Sequence, residues 1–148
     1  MPEDKIIFHN LVIWKGAKKA DLRFVESKTE IEVATPPQFG GHEGITNPED
    51  LFVASVNACF MTTFLAFADK MGIELMSYES EAEGVLEKVG DARVFTKVVL
   101  KPRIKAKAAV EVIRQVIDMV KQRSIVVNSV KSEVVVDAEV EGSSNCYF

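Results

Sequence analysis

Cysteine and histidine are scarce in this chain of 148 residues, with two of each. Cys59 and Cys146 lie far apart and form no Cys-x-x-Cys, which excludes a disulfide scaffold and a vicinal dithiol motif. His9 and His42 stand at ligand spacing from neither a cysteine nor each other, so the usual zinc patterns are missing. No metal or cofactor is expected. A basic surplus is missing too: 18 Lys and Arg against 22 Asp and Glu leave a net charge of −4, and nucleic acid would need a basic stripe. The opening residues, Met1-Pro2-Glu3-Asp4-Lys5, do not read as a secretory signal, having no basic start before a long apolar run. Asn145-Cys146-Tyr147-Phe148 does not place its cysteine where a prenylation box needs it. A reducing cytoplasm is the expected compartment.

What remains is an ordinary balance of 47% hydrophobic and 27% charged residues. The length is typical of one domain, and a single domain over residues 1–148 is expected. A chain of this size buries about 70% of its unfolded surface, enough to fold without disulfides or metal. Neither a linker nor a repeat of fixed period interrupts it.

Residues 6–14, 22–25 and 29–34 read as strands of a small antiparallel meander. Residues 35–44, dense in Pro and Gly, must be irregular. A helix then begins sharply: Asn47 is a good N-cap, Pro48 suits the first helical position, and Glu49 and Asp50 face the positive end of the dipole. Residues 51–68 carry no charge, and Gly72 is a suitable stop. Residues 78–86 and 93–101 form a second hairpin turning at Gly90-Asp91, with Glu79, Glu81 and Glu83 on one face and Pro102 ending it. Val110, Ile113, Val116, Ile117 and Val120 stripe a second helix over 105–123, and a strand over 130–140 closes the chain. The order β-β-β-α-β-β-α-β implies an α+β fold with antiparallel sheets.

The uncharged run is long enough to span a bilayer, but Ser55, Asn57, Thr62 and Thr63 interrupt it and acidic residues flank it. The better reading is a central helix buried all round. One small domain has trouble surrounding a helix of about 27 Å. Two chains packing such helices together have none, so an obligate homodimer is expected, with no membrane.

Cys59 lies in the middle of this helix, in Ser55-Val56-Asn57-Ala58-Cys59-Phe60-Met61-Thr62-Thr63. A free cysteine there reads first as a small core hydrophobe. It gains nothing from the helix dipole and needs a cation or donor to become a thiolate. Ser55, Thr62 and Thr63 lie within reach, either to donate to the sulfur or to return their bonds to the helix backbone.

Thr35-Pro36-Pro37-Gln38-Phe39-Gly40-Gly41, Thr46-Asn47-Pro48-Glu49-Asp50-Leu51-Phe52, Ala58-Cys59-Phe60 and Val126-Val127-Asn128-Ser129-Val130-Lys131 together resemble the OsmC/Ohr family of osmotically inducible and organic-hydroperoxide-resistance proteins. The resemblance covers essentially the whole chain. It implies an intertwined homodimer with its active sites at the subunit interface, and reduction of organic hydroperoxides by a reactive cysteine, matched here by Cys59. Glu49 matches a family glutamate that orients the thiolate's cationic partner. Glu49 and Cys59 stand ten residues apart, about 15 Å along one helix. Both serve one site only if Glu49 comes from the other subunit; otherwise Glu49 simply caps the helix.

Two positions depart from the family. Its resolving cysteine is matched by Ser124, or by Ile125, and neither forms a disulfide; Cys146 lies in a tail outside the motifs. Its arginine falls near Lys18 or Lys19, with Arg23 close by. A lysine lacks the planar fork that joins carboxylate and thiolate. The expected function is a thiol-dependent peroxidase of oxidative-stress defence, with Cys59, Glu49 and Lys18 at its site and an external thiol or dithiol as reductant. The alternative is a small-ligand-binding protein on the same scaffold, its pocket lined by Phe52, Phe60, Phe64 and Phe67. Hydrolysis through an acyl-cysteine would need a base beside the thiol, and neither histidine lies in the matched motifs.

Overall fold

Apolar and β-branched residues alternating with polar ones set the strands. In the computed structural model, which describes residues 4–143, β1 (Asn10–Trp14), β2 (Lys19–Phe24) and β3 (Thr29–Ala34) form an antiparallel sheet in that order. Strand β1 is shorter than its apolar run because its pairing with β2 begins at Asn10 opposite Phe24. Lys15 bridges Asp21 and Glu32 at 2.9 and 2.8 Å.

Residues 35–44 fold back on themselves. The N–H groups of Phe39 and Gly41 donate to the Pro36 carbonyl, and that of His42 to the Thr35 carbonyl. A Cβ at Gly41 would lie 1.7 Å from the Thr35 carbonyl oxygen, so only glycine fits. The helix start follows as expected: Asn47 Oδ1 accepts the Asp50 N–H at 2.7 Å, and the Asp50 carboxylate accepts the Asn47 N–H at 3.3 Å. These residues belong to the first of two compact units, which ends at Phe52.

The second unit runs from Val53 and takes in most of α1 (Pro48–Lys70). Gly72, at φ +67°, ends this helix, and the Ile73 N–H bonds back to the Ala68 carbonyl at 2.9 Å. Strands β4 (Glu74–Val89) and β5 (Ala92–Lys107) form a long hairpin around Gly90-Asp91. Then come α2 (Val110–Arg123), a 3-10 turn at Val127–Ser129, and β6 (Glu133–Val136) and β7 (Glu139–Glu141), both parallel to β5.

Strands β2 and β4 run longer than expected, and three further differences have their cause in the pairing of the second sheet. Pro102 does not end β5. On the side away from β4, β6 pairs only as far as Leu100 and β7 only from Arg103, so the proline falls where that neighbour is interrupted and no ladder bond is lost. Helix α2 starts at Val110, because Lys105 and Lys107 still pair with β4. The closing strand is split in two, and it runs parallel because a helix, not a hairpin turn, returns it to the sheet. That sheet is therefore mixed.

Alternate residues of β5 (Val98, Leu100, Ile104, Ala106) form the core with Val56, Phe60 and Phe64 of α1 and Ile113, Val116 and Val120 of α2. The Phe64 ring packs on Tyr78 at 5.5 Å. Helix α1 is long and apolar enough to cross a membrane by length and composition, yet its own chain covers one side only: Val56, Phe60, Phe64 and Ala68 are buried, while Ala54, Ala58 and Leu65 are exposed. Exposed charges pair along β4 and β5, as in Glu74–Lys107 at 3.3 Å and Glu83–Lys101 at 3.4 Å.

Two substitutions test this packing by thermal denaturation. Phe64→Ala should cost about 3–5 kcal/mol, a fall in Tm of roughly 10 °C or more. Gly41→Ala, forced against backbone, should cost about 3 kcal/mol; an unchanged Tm would contradict the close approach to Thr35.

Candidate functional site: a cysteine facing the end of a helix

Cys59 directly precedes the buried Phe60, so it sits at the edge of the buried face of α1, itself half-buried. Helix α2 ends beside it. Ser124 closes that helix with its N–H on the Val120 carbonyl at 2.8 Å, then turns to extended backbone. The turn sends two donors to the thiol: Ser124 Oγ lies 3.2 Å from Cys59 Sγ, and the Val126 N–H donates to it at 3.5 Å. Ser124 is fully buried.

Thr63 stands 3.9 Å from the sulfur, but its hydroxyl donates to the Cys59 carbonyl at 2.8 Å, as does Thr62 at 3.1 Å. Both threonines thus return their bonds to the helix, the second of the two expected arrangements. The donors that count come from another element altogether. Burial pushes the Cys59 thiol up, but the Ser124 hydroxyl and the Val126 N–H, helped by the Ile125 N–H, more than offset it and leave the pKa below its ordinary value.

The other expected residues lie in the first unit. Lys18 donates through Nζ to the Gly40 carbonyl at 3.1 Å. Lys19 opens β2, and Arg23 pairs with Glu30. Glu49 stands in the first turn of α1, with one carboxylate oxygen buried and without a hydrogen-bond partner. Cys146 lies outside the described residues. Burial raises Tyr78 to about 12, so this phenol, which touches Phe64 one turn beyond Cys59, stays protonated and is no base. Among the described residues no group of three His, Cys, Asp or Glu is placed to hold a metal ion.

Sequence reading noticed Ser124 only for the sulfur it lacks, and it missed Ser124 as a donor. The available signal was a hydroxyl residue directly after an amphipathic helix, at the head of a segment already matched.

Two sheets, a half-covered apolar helix and a thiol held by neutral donors define an α+β protein built around one cysteine. The chain belongs to the OsmC-like protein family, whose model matches residues 40–139. An OsmC-like protein from Vibrio cholerae, VCA0330, shares the fold with a TM-score of 0.84 at 24% identity, over 90% of this chain and 99% of that one. An organic hydroperoxide resistance protein OsmC from Legionella pneumophila aligns with a TM-score of 0.69 at 19% identity, over 93% of this chain and 99% of that one. The uncharacterised protein YmaD of Bacillus subtilis is 23% identical over 92 residues, 62% of this chain. The match spans 61% of that relative's own length.

Alkylation by iodoacetamide as a function of pH tests the site. A lowered pKa means more thiolate at neutral pH, so the midpoint for Cys59 should fall below that of a free cysteine, about 8.5. A midpoint at or above the free-thiol value would contradict the donor geometry.

Proposed function

We propose that this protein is a thiol-dependent peroxidase that reduces organic hydroperoxides through Cys59. The observation that carries the reading is the hydrogen-bonded, half-buried thiol: Ser124 Oγ at 3.2 Å and the Val126 N–H at 3.5 Å favour the thiolate, the form that attacks peroxides. Family membership supports it, as does the hydroperoxide resistance named for the Legionella relative.

The Cys59 thiolate attacks the distal peroxide oxygen; an S–O bond forms, the O–O bond breaks, and the alkoxide takes a proton and leaves as the alcohol. Cys59 is then a sulfenic acid. One external thiol displaces water from it to give a mixed disulfide, and a second releases Cys59 as the reduced thiol and leaves as the disulfide of the reductant. Such a cycle needs no second cysteine in the chain. Its place is defence against oxidative stress in the cytoplasm.

The working form is a homodimer. Ala54, Ala58 and Leu65 leave one side of α1 apolar and uncovered, which suits a second copy. Glu49, about 15 Å from Cys59 along one helix, serves Cys59 of the other subunit, with Lys18 as the basic group beside it. The buried, unpartnered Glu49 oxygen suits that role. A hollow of about 320 Å³ lies along α1, lined by Ala54, Asn57, Ala58, Met61, Tyr78 and Ser80. Cys59 is outside its lining, so it lends no support to a ligand pocket walled by the thiol.

Stopped-flow mixing with cumene hydroperoxide and hydrogen peroxide decides the matter. The parent protein and Cys146→Ser should lose one thiol rapidly, faster with the organic peroxide, and Cys59→Ser should react only at background. Glu49→Gln should slow the step while the protein remains a dimer by sedimentation. Reaction no faster than a free thiol at the same pH would remove the peroxidase reading.

A further inference from the structure

A helix C-terminus is a poor place for a thiolate, because its last carbonyls carry partial negative charge. Three carbonyls at the end of α2 are nevertheless engaged by donors. Asn128 Nδ2 donates to the carbonyls of Gln122 at 3.0 Å and Ser124 at 2.7 Å, and Ser129 Oγ donates to that of Ile125 at 2.7 Å. The Asn128 N–H adds a bond to the Ser124 carbonyl at 3.0 Å. With its carbonyls held this way, the turn offers the sulfur only its hydroxyl and N–H groups.

We propose that Ser124 is the positioning residue of Cys59, and that Asn128 is the clasp that keeps the Ser124–Val126 turn aimed at the sulfur. The inference rests on the peroxidase reading and adds to it: neutral donors at hydrogen-bond distance hold the sulfur directly, beside whatever charge Lys18 supplies. The same hydroxyl occupies the spot from which a thiol would close a disulfide, so oxidation stops at the sulfenic acid and waits for the external thiol.

The geometry makes the two roles separable. Hydrogen bonds to a charged group outweigh those between neutral partners. Ser124→Ala should therefore slow alkylation of Cys59 at pH 7 by about tenfold and move the midpoint of its pH profile upward. Asn128→Ala should shift the profile the same way by less, since the hydroxyl remains. Ser124→Cys, nearly equal in volume, should reduce one equivalent of cumene hydroperoxide to its alcohol and form an intramolecular disulfide with Cys59, with the sulfenic oxygen leaving as water and two thiols lost per peroxide. Circular dichroism and thermal melting identify a variant that has simply failed to fold.

An unchanged alkylation profile in a folded Ser124→Ala variant would overturn the inference even if the parent reduces peroxides. Loss of one thiol rather than two in Ser124→Cys would likewise overturn the placement. Alkylation uses no peroxide, so a shifted profile beside a parent inert to peroxides would refute the peroxidase reading and leave the donor role of Ser124 intact.

Discussion

Burial of one face of α1 against β4 and β5 fixes everything else in the second unit. Val56, Phe60 and Phe64 are wholly removed from water, each worth about 1.5–3 kcal/mol of transfer free energy. The approach is close: a Cβ at Gly84 would meet a Val53 methyl at 2.4 Å, so the strand carries a glycine where the helix crosses it. The Asn57 side chain also donates to the Ser80 carbonyl at 3.0 Å, pinning the rotation of the helix. With rotation and height set, Cys59 has no freedom to choose its neighbours. It faces whatever ends α2.

Short-range neutral donors differ from a lysine or arginine in kind. A surface cation acts over a distance and is screened by salt, whereas a hydroxyl at 3.2 Å acts only while the geometry holds. The thiol is thus tuned by packing. Its hydrogen bonds depend on the docking of α2, in which Ser124 is wholly buried.

Local rules were readable in the sequence wherever the cause was local. Asn47 caps its helix through Asp50, Gly72 stops it, and Gly90 turns the hairpin, each through an interaction within a few residues. Pro102 reads as a strand end because its tolerance within β5 depends on β6 and β7, some thirty residues later. Lys105–Lys107 read as helix because helical periodicity downstream masks a strand that is fixed by pairing with Glu74, Leu75 and Ser77 on one side and, at Lys105, with Glu141 on the other. The parallel direction of the closing strands follows from the crossover and not from their alternation. At the site, the cysteine was legible from its motif and its donors were not, because a contact spanning 65 positions leaves no periodic trace.

That span has a consequence for biosynthesis. The chain emerges from the N-terminus, at about 5–20 residues per second. Cys59 therefore leaves the ribosome several seconds before the segment that completes its surroundings 65 residues later. Until α2 has closed over the sheet, the thiol has neither hydroxyl nor N–H donor at its side and behaves as any unassisted cysteine. The surroundings of the thiol are thus completed only once the chain beyond α2 has been made, so an unfinished chain carries the cysteine without its donors.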